Sequence, residues 1–89
     1  MTDIQFVKLC KETIATYVND RLDKTDNTFI SPDDVYIVWQ CKALQNWKAL
    51  ASTTLSDGMY YEIAYSSCLD ETYVDVYKKC ENFIVEGGE

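Results

Sequence analysis

Hydrophobic positions recur with two different periods along this chain, and the change of period marks its elements. Over residues 3–23, Phe6, Leu9, Cys10, Ile14, Tyr17, Val18 and Leu22 fall at three- and four-residue steps. That stripe predicts an amphipathic helix. Thr2, with Gln5 three residues later, supplies a capping box at its start. The polar run Asp23-Lys24-Thr25-Asp26-Asn27 ends it.

Residues 31–44 carry two conflicting signals. Ser31-Pro32-Asp33-Asp34 reads as a helix start, whereas Val35-Tyr36-Ile37-Val38-Trp39 is dense in β-branched and aromatic residues. The alternation decides for a short turn at 31–34 and a strand over 35–43. Ile37, Trp39, Cys41 and Ala43 would face the core, with Val38, Gln40 and Lys42 opposite. After a reversal at Gln45-Asn46, a second strand over 47–54 turns Trp47, Ala49 and Ala51 inward. Asp57-Gly58 then supplies the positive-φ position of a second hairpin. A third strand over 59–66 faces Met59, Tyr61, Ile63 and Tyr65 inward. A second helix is expected over 71–84, capped by Asp70, with Tyr73, Val76, Tyr77, Cys80, Phe83 and Ile84 as its stripe.

The expected architecture is therefore α+β. It has the order helix, three-stranded antiparallel meander, helix (αβββα), in two layers with both helices on one sheet face. Residues 1–86 would form one domain, and Gly87-Gly88-Glu89 would fray. The expected core is Phe6, Leu9, Ile14, Tyr17, Ile37, Trp39, Trp47, Tyr61, Ile63, Tyr73, Tyr77 and Phe83.

Composition supports a packed domain, since 47% hydrophobic and 13% aromatic residues are too many for a disordered chain. The net charge of −7 and the dispersed lysines oppose binding to a nucleic-acid backbone. The polar opening Met1-Thr2-Asp3-Ile4-Gln5 fits no signal peptide, so a cytoplasmic protein is expected. Four cysteines without a CxxC pair, in a chain without histidine, argue against zinc. Cys10, Cys41 and Cys80 read as small core residues, and Cys68 as a loop thiol.

Catalytic chemistry finds no obvious seat. The commonest general base is missing, and no acid pair stands out from a surface already rich in carboxylates. The expectation is no enzyme, no cofactor and no metal site. Tyr36, Val38, Leu50 and Tyr60 are predicted to share the sheet face turned away from the helices. They form the candidate partner-binding surface, for a host or phage protein or for a second copy in a weak dimer. The alternative is a nucleic-acid-binding module, because αβββα is also the element order of double-stranded-RNA-binding domains.

Several segments carry a resemblance: Val35-Tyr36-Ile37-Val38-Trp39, Cys41 through Leu50, Ser52-Thr53-Thr54, Asp57 through Glu62 and Glu71 through Lys79. Together they resemble a family of small phage and prophage proteins of Gram-positive bacteria whose function is not established. The resemblance covers roughly residues 30–83 and names no catalytic residue. It implies a small accessory protein working in the cytoplasm of an infected cell by binding another protein.

Overall fold

The computed structural model describes residues 1–22 and 29–87. The chain begins with helix α1 (Asp3–Arg21), and a short 3-10 turn at Pro32–Asp34 leads into the sheet. Four strands follow: β1 (Val35–Ala43), β2 (Asn46–Thr53), β3 (Met59–Ser66) and β4 (Glu71–Lys78). They form one antiparallel sheet in the order β1-β2-β3-β4. The expected polar end of the helix at residues 23–27 and the last two residues of the tail lie outside the described residues.

The start of α1 follows its sequence signature. The Thr2 hydroxyl accepts from the Gln5 amide at 3.2 Å, and the Gln5 side chain accepts from the Thr2 amide at 2.8 Å. The helix buries Phe6, Cys10, Ile14, Ala15 and Val18. These residues meet Trp47, Ala49 and Ala51 of β2, Tyr61 and Ile63 of β3, and Val35 of β1. The Phe6 and Trp47 rings lie 5.4 Å apart, and Tyr17 meets Tyr61 edge-on at 5.9 Å. Such tilted and edge contacts suit the aromatic quadrupole.

A latch ties the segment before the sheet to the helix. The Asn19 amide donates to the Ile30 carbonyl and accepts from the Ile30 amide, both at 2.8 Å. A side chain thus pairs with backbone as a neighbouring strand would. It satisfies both polar groups of a residue whose own side chain is buried. At Ser31 the chain turns, and the Ser31 amide donates to the Asp34 carboxylate at 2.9 Å.

The sequence expectation of a second helix over 71–84 is overturned. Residues 71–78 are β4, paired along its length with β3 from Ser66↔Glu71 to Met59↔Lys78. The fold is one helix followed by a four-stranded sheet, not a three-stranded meander with two helices. The stripe at Tyr73, Val76, Tyr77 and Cys80 is compatible with both periods. Five of the eight residues Glu71–Lys78 are β-branched or aromatic, however, and Thr72, Val74 and Val76 alternate with Tyr73, Asp75 and Tyr77. Pairing also satisfies the outer backbone edge of β3, which a helix would leave open. Asp70 caps no helix. It sits in the turn at φ 50°, and its carboxylate accepts from the Tyr65 hydroxyl at 2.7 Å.

The reversal between β1 and β2 falls one residue earlier than expected, at Leu44-Gln45, flanked by the Ala43↔Asn46 pair. Leu44 adopts φ 59° and is almost fully exposed. Gly58 takes the positive φ expected for the second hairpin, at 69°. Among the described residues no helix is long and apolar enough to cross a membrane.

Two substitutions check this description. Asn19→Ala removes both bonds to Ile30 and leaves a nearly buried peptide group short of partners, so it should cost about 2 kcal/mol in denaturant unfolding. Leu44→Gly should stabilise the protein by about 1 kcal/mol, because it relieves a left-handed conformation that a branched side chain tolerates poorly.

Candidate functional site: the uncovered sheet face

Helix α1 covers one face of the sheet, and the candidate site is the other. In antiparallel pairs the residues directly opposite share a face, so the registers define it row by row. One row is Trp39, Leu50, Glu62 and Asp75, running from β1 to β4. The next is Cys41, Lys48, Ala64 and Tyr73. Tyr36 stands opposite Ser52, and Tyr60 opposite Tyr77.

A bulge in β1 sets this arrangement. Ile37 pairs with Ala51 and Trp39 with Leu50, so Val38 is the extra residue without a partner. A bulge of one residue reverses the phase of everything that follows. Trp39, Cys41 and Ala43 therefore turn to the uncovered face, against the sequence expectation that they face the core. Gln40 and Lys42 turn to the helix side, where the Lys42 ammonium lies 4.8 Å from the centre of the Trp47 ring.

Of the predicted binding residues, Tyr36, Leu50 and Tyr60 share the uncovered face, with Tyr36 exposed and the other two half-buried. Val38 is exposed at the bulge, apart from the rows. Three further aromatics belong to this surface: Trp39, 43% exposed, and Tyr73 and Tyr77, each 50% exposed. All three were expected in the core, as was Phe83, which is also exposed. The period-two alternation of residues 71–78 carried the signal for Tyr73 and Tyr77. Nothing in the pattern of β1 marked the bulge that exposes Trp39.

Polar groups are interleaved with these side chains, among them Lys48, Glu62, Glu71 and Asp75. Lys48 and Glu62 form an ion pair at 3.2 Å, and the Tyr73 hydroxyl donates to the Glu71 carboxylate. That bond raises the Tyr73 phenol above its ordinary range. Toward the β1–β2 hairpin the surface dips into a mostly apolar hollow of about 290 Å³, bounded by Cys41, Asn46, Lys48, Ala64, Ser66 and Tyr73.

The cysteines do not converge. Cys10 is buried in the helix–sheet core, Cys41 lies on the uncovered face, Cys68 in the β3–β4 turn and Cys80 just beyond β4. The expected core placement thus holds for Cys10 and fails for Cys41 and Cys80. Among the described residues no three of Cys, Asp and Glu come together in a group that could hold a metal ion. The αβββα likeness to double-stranded-RNA-binding domains falls with the second helix, since β4 occupies the segment that would have been the second helix.

With this geometry in place, one comparison is informative. Residues 7–87 match a family of unknown function, DUF6275. The chain belongs to DUF6275. Comparison with curated proteins and with solved structures gives no match. The match spans all four strands and most of α1, so the sheet and its uncovered face lie within the DUF6275 region.

Burial sorts the four thiols of this DUF6275 chain. In the native protein a thiol reagent should modify Cys41, Cys68 and Cys80 quickly and Cys10 only on unfolding, as mass-resolved labelling will read directly. Burial also pushes the Cys10 thiol up from 9.0 to about 11. The native state then holds that proton more tightly than the unfolded chain does, so its stabilising effect is complete below pH 9 and lost as pH rises toward 11. The loss should reach about 2 kcal/mol, and Cys10→Ala should remove that part of the alkaline decline in denaturation curves.

Proposed function

We propose that this DUF6275 protein works by binding another protein on its uncovered sheet face, without catalysing a reaction. The reading rests on one observation. Trp39, Leu50, Tyr60, Tyr73 and Tyr77 lie together on a face that no element among the described residues covers. Exposed aromatic side chains grouped on one face of a small domain are costly to leave in water, and aromatic residues are what protein interfaces concentrate. The resemblance to small phage and prophage proteins supports an accessory role that modulates a host or phage factor in the host cytoplasm.

The charges favour a different protein over a second copy as the occupant. Two such faces laid together would bring Glu62, Glu71 and Asp75 of both chains into one interface, on molecules carrying −7 each. A partner with an apolar patch rimmed by lysine or arginine meets the same face without that repulsion.

The test uses the tagged full chain as bait in lysate from phage-infected Gram-positive cells. Leu50→Glu and Trp39→Ala place their changes in the middle of the face and outside the core. A specific protein held by the native chain, and reduced at least tenfold by either variant with unchanged circular dichroism, supports the reading. Equal recovery by native and variant chains, or no specific protein at all, overturns it.

A further inference from the structure

The outer edge of β4 offers a second surface, separate from the uncovered face. The two edge strands of this sheet differ. β1 carries a bulge at Val38 and follows Pro32, and both features discourage pairing with another chain. β4 is eight residues long, regularly paired to β3, without bulge or proline, and has a lysine only at its last position.

The Lys79 amide donates to the Gly58 carbonyl at 2.8 Å, directly opposite it in the β3–β4 register. Hydrogen-bonding groups alternate sides along an antiparallel strand. Residues 71, 73, 75 and 77 therefore bond inward to β3, and Thr72, Val74, Val76 and Lys78 present their amides and carbonyls to the free edge.

A charge imbalance lies beside this edge. On the uncovered face Asp75 stands directly opposite Glu62, a like-charge pair that disfavours the strand pairing. Lys48 is bound to Glu62, and no cation lies within ion-pair distance of Asp75 among the described residues. The row from β2 to β4 reads Leu50, Glu62, Asp75, with Lys48 reaching Glu62 from the neighbouring row, and the place beyond Asp75 is the free edge.

We propose that two copies of this chain pair antiparallel, β4 to β4, about a two-fold axis at Tyr77, in the register that sets Asp75 against the partner subunit's Lys79. The axis runs perpendicular to the sheet, so the facing residues sum to a constant and stay on one face. Centring the pair on Tyr73 opposes Glu71 with the second copy's Asp75, and centring it on Asp75 opposes that residue with itself. Centring on Val76 opposes Glu71 with Glu81. Centring on Val74 opposes no like charges, but it leaves Asp75 facing Tyr73 and sets Lys78 against Asp70, which lies in the turn outside β4 with its carboxylate already accepting from Tyr65. The Tyr77 register avoids these clashes and makes the Asp75–Lys79 pair twice.

The same register accounts for the chain beyond β4. Phe83, Ile84 and Val85 are 72%, 87% and 71% exposed. The radius of gyration is 15.0 Å, against about 12 Å for a compact domain of this length. In the pair, residues 79–83 of each copy run along the other's β4, with Cys80 opposite Val74 and Phe83 opposite Glu71. The pairing gives the start of this tail, as far as Phe83, a strand to lie on.

Sedimentation equilibrium of the full chain over a wide concentration range tests this. The native protein is expected to form a reversible dimer. Val76→Pro removes an outward amide and leaves the inward bonds to β3 intact, so it should weaken the dimer about tenfold or more with unchanged circular dichroism. Asp75→Lys and Lys79→Asp should each weaken it about tenfold as single variants. The Asp75→Lys chain carries two cations at these positions and the Lys79→Asp chain two anions, so an equimolar mixture of the two should regain the dimer. A chain that stays monomeric at the highest concentration overturns the proposal. So does a dimer that Val76→Pro leaves unchanged, or a mixture that stays monomeric. Leu50→Glu, which tests the uncovered face, should leave the dimer in place; loss of the dimer in that variant alone would also overturn it.

Discussion

One helix cannot cover four strands, and most features of this protein follow from that mismatch. A helix with its side chains is about 10 Å across, whereas four strands spaced about 4.8 Å apart make a wider surface. Helix α1 therefore sits over the β1–β3 part of the sheet. The buried residues concentrate there: Trp47, Ala49 and Ala51 on β2, and Tyr61 and Ile63 on β3. β4 lies beyond the helix, with only Val74 half-buried. With a single layer of helix, no element among the described residues packs on the second sheet face. The core is built on one side, and the aromatic surplus of the chain emerges on the other.

The small residues of β2 are the counterpart of that constraint. Ala49 and Ala51 are fully buried where α1 crosses the sheet, and Cys10 and Ala15 are buried on the helix side of the same core. Short side chains let helix and sheet approach, and Phe6, Trp47 and Tyr61 fill the space around them. The bulge at Val38 performs a related task at the edge. It ends the inward run of β1 after Val35 and Ile37, beyond which the helix offers little cover, and turns Trp39 outward.

Much of this was legible in the sequence. The helix and its capping box, the short turn at Ser31–Asp34, the three strands from Val35 to Ser66 and the hairpin at Gly58 all follow from period, caps and turn chemistry. Two things were not. In residues 71–84 the spacing of Tyr73, Val76, Tyr77 and Cys80 fits a helix as well as a strand. The choice belongs to the open edge of β3, a tertiary demand that local pattern does not register. The bulge is hidden for a similar reason, because one extra residue in β1 is visible only against the register of β2. Both have the same effect on the candidate site: local pattern places Trp39, Tyr73 and Tyr77 in the core, and the register and the fourth strand bring them to the uncovered face.

The face and the edge are geometrically independent, and that independence bears on how the two proposed interactions combine. A two-fold axis perpendicular to the sheet keeps each face on its own side. Pairing β4 with β4 would therefore place both helices on one side of an eight-stranded sheet and both aromatic faces on the other. Neither face would be consumed by self-association, and the two would stand side by side across the paired strands, with Tyr73 and Tyr77 of each copy next to the junction. A partner with a repeated or symmetric surface would then meet two faces at once, and the second contact would form at high effective concentration. A small domain with a partial core thereby gains binding strength from arrangement. The feature that leaves β4 outside the cover of the helix also leaves it free to join the two faces into one surface.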